Sequence, residues 1–111
     1  MFFFFCTLTR VILFVQLIKK IEDGILNGSR SATLKDFSDH FIGDVRCSVR
    51  VFERYSIADK NRTSMNVVLL QRGNDEIYLT AITSGGGLSM FADNTDTWGE
   101  ASFLDKLKEI L

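Results

Sequence analysis

The sequence predicts a single α+β domain over residues 1–111, a two-layer sandwich in which two helices cover one face of an antiparallel sheet of five to six strands. Three observations support this prediction. The 111 residues suit one domain and not two. Apolar residues recur with helical spacing near the start and at the end, and with two-residue spacing between them. The connections between β segments are short, which requires antiparallel neighbours. The predicted order is β-α-β-β-β-β-(β)-α.

The first predicted elements are a strand and a helix. Residues 2–8 (FFFFCTL) are aromatic and β-prone, and they predict a strand that is buried on both faces, or an edge strand that another element covers. Thr9 stands where a helix N-cap is expected, and Asn27 with Gly28 supplies the end of the helix. The apolar positions of this helix recur at three- and four-residue steps: Val11, Phe14, Val15, Ile18, Ile21 and Ile25.

The apolar start leaves a second interpretation open, a membrane segment or signal peptide over residues 1–18. Arg10 at its centre would cost about 2.5–3.5 kcal/mol on insertion scales. Lys19 and Lys20 follow the apolar run, whereas a signal peptide has its positive charge in front. We therefore expect a folded core segment and no membrane contact.

The centre of the chain alternates with a two-residue period. Residues 29–35 predict a strand with Ala32 and Leu34 on one face, and the Asp-rich residues 36–44 predict a turn or an irregular connection. In residues 45–56 one side holds Val45, Cys47, Val49 and Val51, with Tyr55 in the same register. The other side holds Arg46, Ser48, Arg50, Phe52 and Arg54. We expect this arginine side to be the outer face of the sheet, shared with Val68, Leu70 and Ile82.

Turn residues define the next strands. Residues 58–62 predict a polar turn, and residues 65–70 (MNVVLL) predict a central strand covered on both faces. A tight turn at residues 72–75 joins it to a hairpin partner, residues 77–84.

The end of the chain returns to a helical period. Residues 88–92 predict a short last strand and residues 93–99 a loop. Residues 101–111 predict a closing helix whose buried stripe contains Phe103, Leu104, Leu107, Ile110 and Leu111.

Two blocks, RCSVRVFERYS at residues 46–56 and ITSGGG at residues 82–87, resemble a small family of uncharacterised single-domain bacterial proteins, classed only as a domain of unknown function. The resemblance extends over roughly residues 25–107, and the N-terminal strand and helix match it in pattern alone. Because that family has no established activity, the resemblance implies the fold and a cytoplasmic location and transfers no catalytic residue.

Arg46, Arg50 and Arg54 form the most distinctive candidate site. At strand spacing they lie on one face, with about 13 Å between neighbours, and such a row could bind an anionic ligand or a partner's carboxylates. The competing interpretation is a solvated outer face with cross-strand pairing to residues such as Glu76.

Ser84, Gly85 and Gly86 form a second candidate ligand site, because backbone N–H groups at glycines can converge on an anion. The segment lacks the Gly-Lys-Ser/Thr of a P-loop. A flexible hairpin or bulge is the competing interpretation.

Sequence also argues against several classes of function. A net charge of −1 lacks the positive excess of a general nucleic-acid binder. His40 with Asp36, Asp39 and Asp44 is more typical of a solvated turn than of a metal site, and we expect neither metal nor cofactor. No catalytic constellation is marked, so we expect no enzyme activity. Cys6 and Cys47 are too few for a disulfide framework and predict free thiols in a reducing cytoplasm.

Three hypotheses about function follow. The first is a non-enzymatic cytoplasmic module that self-associates, as a dimer, through its outer sheet face. The second is a binding module for a small apolar or anionic ligand, by analogy with helix-grip layouts that enclose cavities. The third and weakest is an enzyme.

Overall fold

The computed structural model of the protein describes residues 2–8, 13–29, 31–56, 61–85 and 103–111. Five strands are present: β1 (Phe2–Leu8), β2 (Thr33–Ile42), β3 (Val45–Ser56), β4 (Asn61–Arg72) and β5 (Ile77–Gly85). They form one antiparallel sheet in the order β1-β5-β4-β3-β2. Helix α1 (Phe14–Gly28) follows β1, and a second helix, α2, covers residues 103–110. The predicted α+β class is therefore confirmed.

Helix α1 packs one apolar stripe onto the sheet and links its two edge strands. Its buried side chains are Phe14, Leu17, Ile18, Ile21 and Ile25. Most of the predicted stripe is confirmed, because spacings of three and four residues return to the same side of a helix. Val15 is an exception: its side chain is exposed. Val11 and the predicted N-cap Thr9 lie outside the described residues.

Helix α2 packs on the same face of the sheet as α1, and its predicted stripe is confirmed. Phe103, Leu104 and Leu107 are buried, and Ile110 contacts the core beside them. The two helices come close at Gly24, where a β-carbon would lie 2.5 Å from Ile110 Cδ1. A larger residue there would require the Ile110 side chain of α2 to move.

The β2–β3 hairpin corrects the prediction for residues 36–44. Strand β2 continues to Ile42, and the turn is confined to Gly43 and Asp44. Gly43 has φ +61°, which glycine adopts at little cost. Phe37, Asp39 and Phe41 alternate on one face of β2, and this two-residue period defines a strand despite the Asp-rich composition.

The hairpin between β4 and β5 confirms the turn predicted at residues 72–75. The backbone N–H of Asp75 donates to the carbonyl of Arg72 at 2.9 Å, and Gly73 has φ +56°. The Gln71 side chain donates to the carbonyl of Asp75 at 2.8 Å. This bond gives the buried amide a partner and braces the turn.

Residues directly opposite each other on neighbouring strands share a face of the sheet. On the helix-covered face, one such row contains Phe37, Arg50, Val67, Ala81 and Phe4. The opposite side, called here the open face, has three rows of five residues. They are Asp36, Val51, Asn66, Ile82 and Phe3; Ser38, Val49, Val68, Thr80 and Phe5; and His40, Cys47, Leu70, Tyr78 and Thr7.

The expected orientation of β3 is wrong. Its arginine side lies under the helices, where Arg50 and Phe52 are buried. Val68, Leu70 and Ile82, expected on the arginine side, lie on the open face. Arginine stems are apolar and can be buried when the guanidinium heads find partners, and rings and carboxylates of neighbouring elements provide them here.

The central strand is not covered on both faces, contrary to expectation, whereas β1 matches the second alternative, an edge strand with one face packed on the core. In β4, Met65, Val67 and Leu69 are buried, whereas Leu70 is 40% exposed. In the edge strand β1, Phe4 contacts the core while Phe3 is 64% exposed on the open face. The β-sheet therefore has one covered and one uncovered side.

Some predicted features lie outside the described residues. These are residues 58–60 of the turn predicted over 58–62, the short strand at 88–92 and the loop at 93–99. The other two turn residues, Asn61 and Arg62, belong to β4 instead. Among the residues that are described, no helix is both long and apolar enough to cross a membrane.

The assignment of faces predicts a large difference between two adjacent leucines. Leu69→Ala should lower the free energy of unfolding by about 2–5 kcal/mol, because it leaves a cavity in the core. Leu70→Ala should cost less than about 1 kcal/mol, because the side chain is 40% exposed. Urea unfolding in dilute solution measures both. Equal losses would show that the faces are assigned wrongly.

Candidate functional site

The three arginines of β3 lie between the sheet and the elements packed around it. Arg46, Arg50 and Arg54 occupy every fourth position of the strand, so all three lie on the helix-covered face. Each contacts a different set of neighbours, and the three positions differ in how completely the positive charge is matched.

Arg50 connects three elements. Its Nε donates to Glu22 of α1 at 2.6 Å, and Nη1 and Nη2 donate to the two carboxylate oxygens of Asp39 in β2 at 2.9 and 3.3 Å. Nη1 also donates to its neighbour's carbonyl, that of Val49, at 3.0 Å. The side chain is only 8% exposed. Two carboxylates match one guanidinium, so the charge is satisfied within the protein.

These bonds change the acidity of both partners. Hydrogen bonds from Arg50 and Ser48 hold the pKa of Asp39 below its usual value. Burial alone would lower the pKa of Arg50, but the hydrogen bonds to Asp39 and Glu22 outweigh burial and raise it. Both shifts favour the charged forms. The interaction is therefore an ion pair throughout the neutral range.

Arg54 has an aromatic partner. Its guanidinium lies 4.6 Å from the centre of the Phe103 ring, at the start of α2, and burial lowers its pKa. A cation over an aromatic face is attracted by the ring quadrupole. Arg54 therefore contributes to the docking of α2.

Arg46 has two aromatic partners. Its guanidinium lies 5.3 Å from the centre of Phe14 in α1 and 5.1 Å from that of Phe41 in β2. Among the described residues, no carboxylate lies within 4 Å of it. Arg46 thus differs from Arg50 in lacking a matching negative charge among those residues.

A groove of about 230 Å³ adjoins Arg46. It lies between the first turn of α1 and strands β2 and β3. Its apolar lining comes from Phe14, Val15, Ile18 and Phe41, and its polar lining includes Asp39, Arg46, Ser48 and Arg50. An apolar wall with a few convergent polar groups is the usual composition of a small-molecule site.

Comparison with protein families adds an assignment. Residues 5–111 match a family of unknown function, DUF6054. The chain belongs to the DUF6054 family. No curated protein and no solved structure is detectably similar to it. The DUF6054 match agrees with the resemblance to an uncharacterised domain, includes most of β1 and all of α1, and brings no activity or site residue with it.

The second candidate site of this DUF6054 chain is separate from the groove. Ser84 lies near the end of β5, where its hydroxyl is 2.9 Å from that of Ser64. Gly85 ends the strand, opposite Thr63, which in turn pairs with Arg54. Gly86 lies outside the described residues. Ser84 and Gly85 are therefore near the Arg54 end of the sheet and away from Arg46.

His40 and the acidic residues near it do not converge. The imidazole Nε2 is 2.6 Å from the Ser38 hydroxyl, whereas Asp39 turns to Arg50 on the other face. The described part of the chain holds no group of three or more His, Cys, Asp or Glu side chains placed to bind a metal ion. Cys6 and Cys47 are free thiols, and burial raises the pKa of Cys6.

Sequence reasoning missed the partners of the arginines. Asp39 was expected in a turn, and Glu22 lies outside the predicted apolar stripe of α1. Glu76, named as a partner for the row, is instead exposed before β5, and no described contact joins it to an arginine. The sequence signal that could have located these partners was the two-residue alternation of Phe37, Asp39 and Phe41. Phe37 and Phe41 lie directly opposite Arg50 and Arg46 on the neighbouring strand.

The lowered pKa of Asp39 predicts a loss of stability in acid. A carboxyl whose pKa is lower in the folded state stabilises the fold above its unfolded pKa of about 3.9. That contribution disappears as the pH falls through the lower folded value. Because Asp39 is 46% exposed, solvent screening limits its contribution to about 1 kcal/mol.

Asp39→Asn should therefore reduce stability at pH 7. The difference from the unmodified protein should shrink as the pH falls below about 4 and vanish only below the folded pKa of Asp39. Urea midpoints from pH 7 to pH 3 test this. Asp23→Asn is the control, since its ion pair with Lys19 is exposed. Parallel curves for Asp39→Asn and the unmodified protein would contradict the assignment.

Proposed function

We propose that this DUF6054 chain is a non-enzymatic cytoplasmic module that forms a homodimer through the open face of its sheet. The observation that carries the proposal is the composition of that face. Of the fifteen residues in its three rows, only Asp36 carries a formal charge with histidine neutral, and it lies on the edge strand β2.

The open face also carries large apolar side chains. Phe3, Phe5, Leu70 and Tyr78 are exposed, and the rings of Phe5 and Tyr78 meet edge to face at 6.1 Å between centres. A contiguous apolar area of this kind on a small protein marks an interaction surface. Aromatic enrichment with few charges is typical of the buried centre of an interface.

The charge pattern favours a second copy of this chain as the partner. In a two-fold dimer the same surface meets itself, so a strongly charged face would repel its copy. The centre of the open face is neutral. At its ends the charges are already balanced by ion pairs, Arg62 with Glu53 at 3.0 Å and Arg72 with Asp75 at 3.2 Å. Such a face is compatible with its own copy.

The size of the face is also sufficient. Five strands at about 4.8 Å spacing and about eight residues of about 3.3 Å each give a face of roughly 24 by 26 Å. Two such faces would bury roughly 1,200 Å², which is the lower end of specific protein interfaces. Two sheets stacked in this way form a sandwich with a core about 10 Å thick.

A pocket at one end of the open face offers a place for a side chain of the partner. It measures about 320 Å³, and Val45, Leu70, Arg72 and Tyr78 contribute to its lining. An apolar side chain from a second copy would fill it, and filled pockets of this kind are where binding energy concentrates.

Two features support the cytoplasmic location and the non-enzymatic role in this proposal. Free thiols at Cys6 and Cys47 are typical of a reducing cytoplasm. The carboxylates nearest the arginines are engaged in ion pairs and are not poised as general bases. Turnover by the purified protein in a broad substrate screen would overturn the non-enzymatic part.

Dimerisation predicts sensitivity at the centre of the open face. Val68 lies in the middle row of the middle strand β4, so in a two-fold dimer it lies near its own copy. Val68→Arg would place like charges together and exclude apolar contact. We expect the unmodified protein to sediment as a dimer at high micromolar concentration and Val68→Arg to sediment as a monomer.

Val15→Arg is the matched control, because Val15 is exposed on α1, away from the open face. It should remain dimeric, and circular dichroism should show that both variants are folded. A monomeric unmodified protein at high micromolar concentration, in analytical ultracentrifugation or light scattering, would refute the proposed dimer.

A further inference from the structure

Arg46 has unused binding capacity. A guanidinium carries five N–H donors, and within the described part of the chain Arg46 makes no hydrogen bond. Its described partners are the rings of Phe14 and Phe41, which lie 5.3 and 5.1 Å from the guanidinium carbon. The N–H donors can therefore pair with a planar anion such as a carboxylate.

The neighbouring charges favour one negative charge on the ligand and not two. Arg50 lines the same groove, but Glu22 and Asp39 already match its charge. Asp39 also lines the groove, so its carboxylate would repel a ligand of high negative charge. Of the two arginines that line the groove, Arg46 is the one whose charge no described carboxylate matches, so it supplies attraction for one negative charge. A second negative charge, as on phosphate, would meet the Asp39 carboxylate.

The apolar wall defines the rest of the ligand. Phe14, Val15, Ile18 and Phe41 would contact a ring or a short hydrocarbon chain. The groove has a volume of about 230 Å³. Sites for drug-sized ligands are larger, with volumes of about 300–1,000 Å³. The space therefore suits a body of about one ring.

We propose that the groove beside Arg46 binds a small monocarboxylate with an apolar or aromatic body. The carboxylate pairs with the N–H groups of the Arg46 guanidinium, and the body lies against Phe14, Val15 and Ile18. This site is on the helix-covered side of the sheet, so it is independent of the open face and of the proposed dimer.

Phenylacetate is the probe that tests the proposal, because it combines one carboxylate with one ring. Titration followed by two-dimensional NMR should give saturable shifts confined to the first turn of α1 and to β2 and β3. Phenylethanol, which keeps the ring, and inorganic phosphate, which keeps negative charge, should each bind at least about tenfold more weakly.

Two variants test the charge of Arg46 and the space in the groove separately. Arg46→Gln should weaken phenylacetate binding by about tenfold or more, since a charged hydrogen-bonded pair is lost. Arg72→Gln is the matched control, because Arg72 is 74% exposed on the open face, away from the groove. It should leave binding unchanged.

A second variant keeps the test valid if Arg46→Gln fails to fold. Val15→Trp enlarges an exposed side chain that lines the groove, and it should block phenylacetate without disturbing the core. Absence of saturable shifts with phenylacetate, equal binding of phenylethanol, or unchanged binding in Arg46→Gln or Val15→Trp would each overturn the proposal. Sedimentation of the same samples reports on the dimer separately.

Discussion

The matching of a buried guanidinium by two carboxylates is the constraint on which the structure depends. Arg50 is 8% exposed, and an unmatched charge at that depth would cost several kcal/mol. Glu22 must therefore face the sheet from α1, and Asp39 must face the same side from β2. These two contacts fix the rotation of the helix and the register of the edge strand together. The aromatic rings that lie over Arg46 and Arg54 extend the same arrangement along β3.

This arrangement separates two kinds of chemistry on the two sides of one sheet. Charges and hydrogen bonds are concentrated under the helices, where Ser48, Arg50 and Gln71 are buried and partnered. The three central rows of the open face hold one formal charge with histidine neutral and are rich in aromatic and β-branched side chains. A binding groove at the margin of the first side and a contact surface on the second would not compete for the same residues. The fold can therefore carry both proposed activities at once.

The helices and strands could be predicted from the sequence wherever the apolar residues recur with a single spacing. Helix α1, helix α2 and the β4–β5 hairpin were predicted because their spacing and turn residues allow one interpretation. The orientation of β3 was not predictable in this way. Valine and cysteine at 45, 47, 49 and 51 are more apolar than the arginine side, so hydrophobicity alone places the wrong side inward. Tertiary partners decided the outcome, and they come from segments distant in sequence. For the same reason the arginine row was recognised as notable, while the groove at Arg46 was not.

The pairing of β1 with β5 joins the first strand of the sheet to the last. Contacts between segments so distant in the chain raise the contact order and slow folding, because a large loop must close before the pairing is made. During synthesis on the ribosome, the phenylalanine-rich β1 emerges long before its partner exists. It must remain unpaired while the β2–β3–β4 meander forms locally. In this interval the nascent chain exposes a short, uncharged, β-prone segment of the kind that seeds aggregates, so shielding by a chaperone would matter most at this stage of its biogenesis.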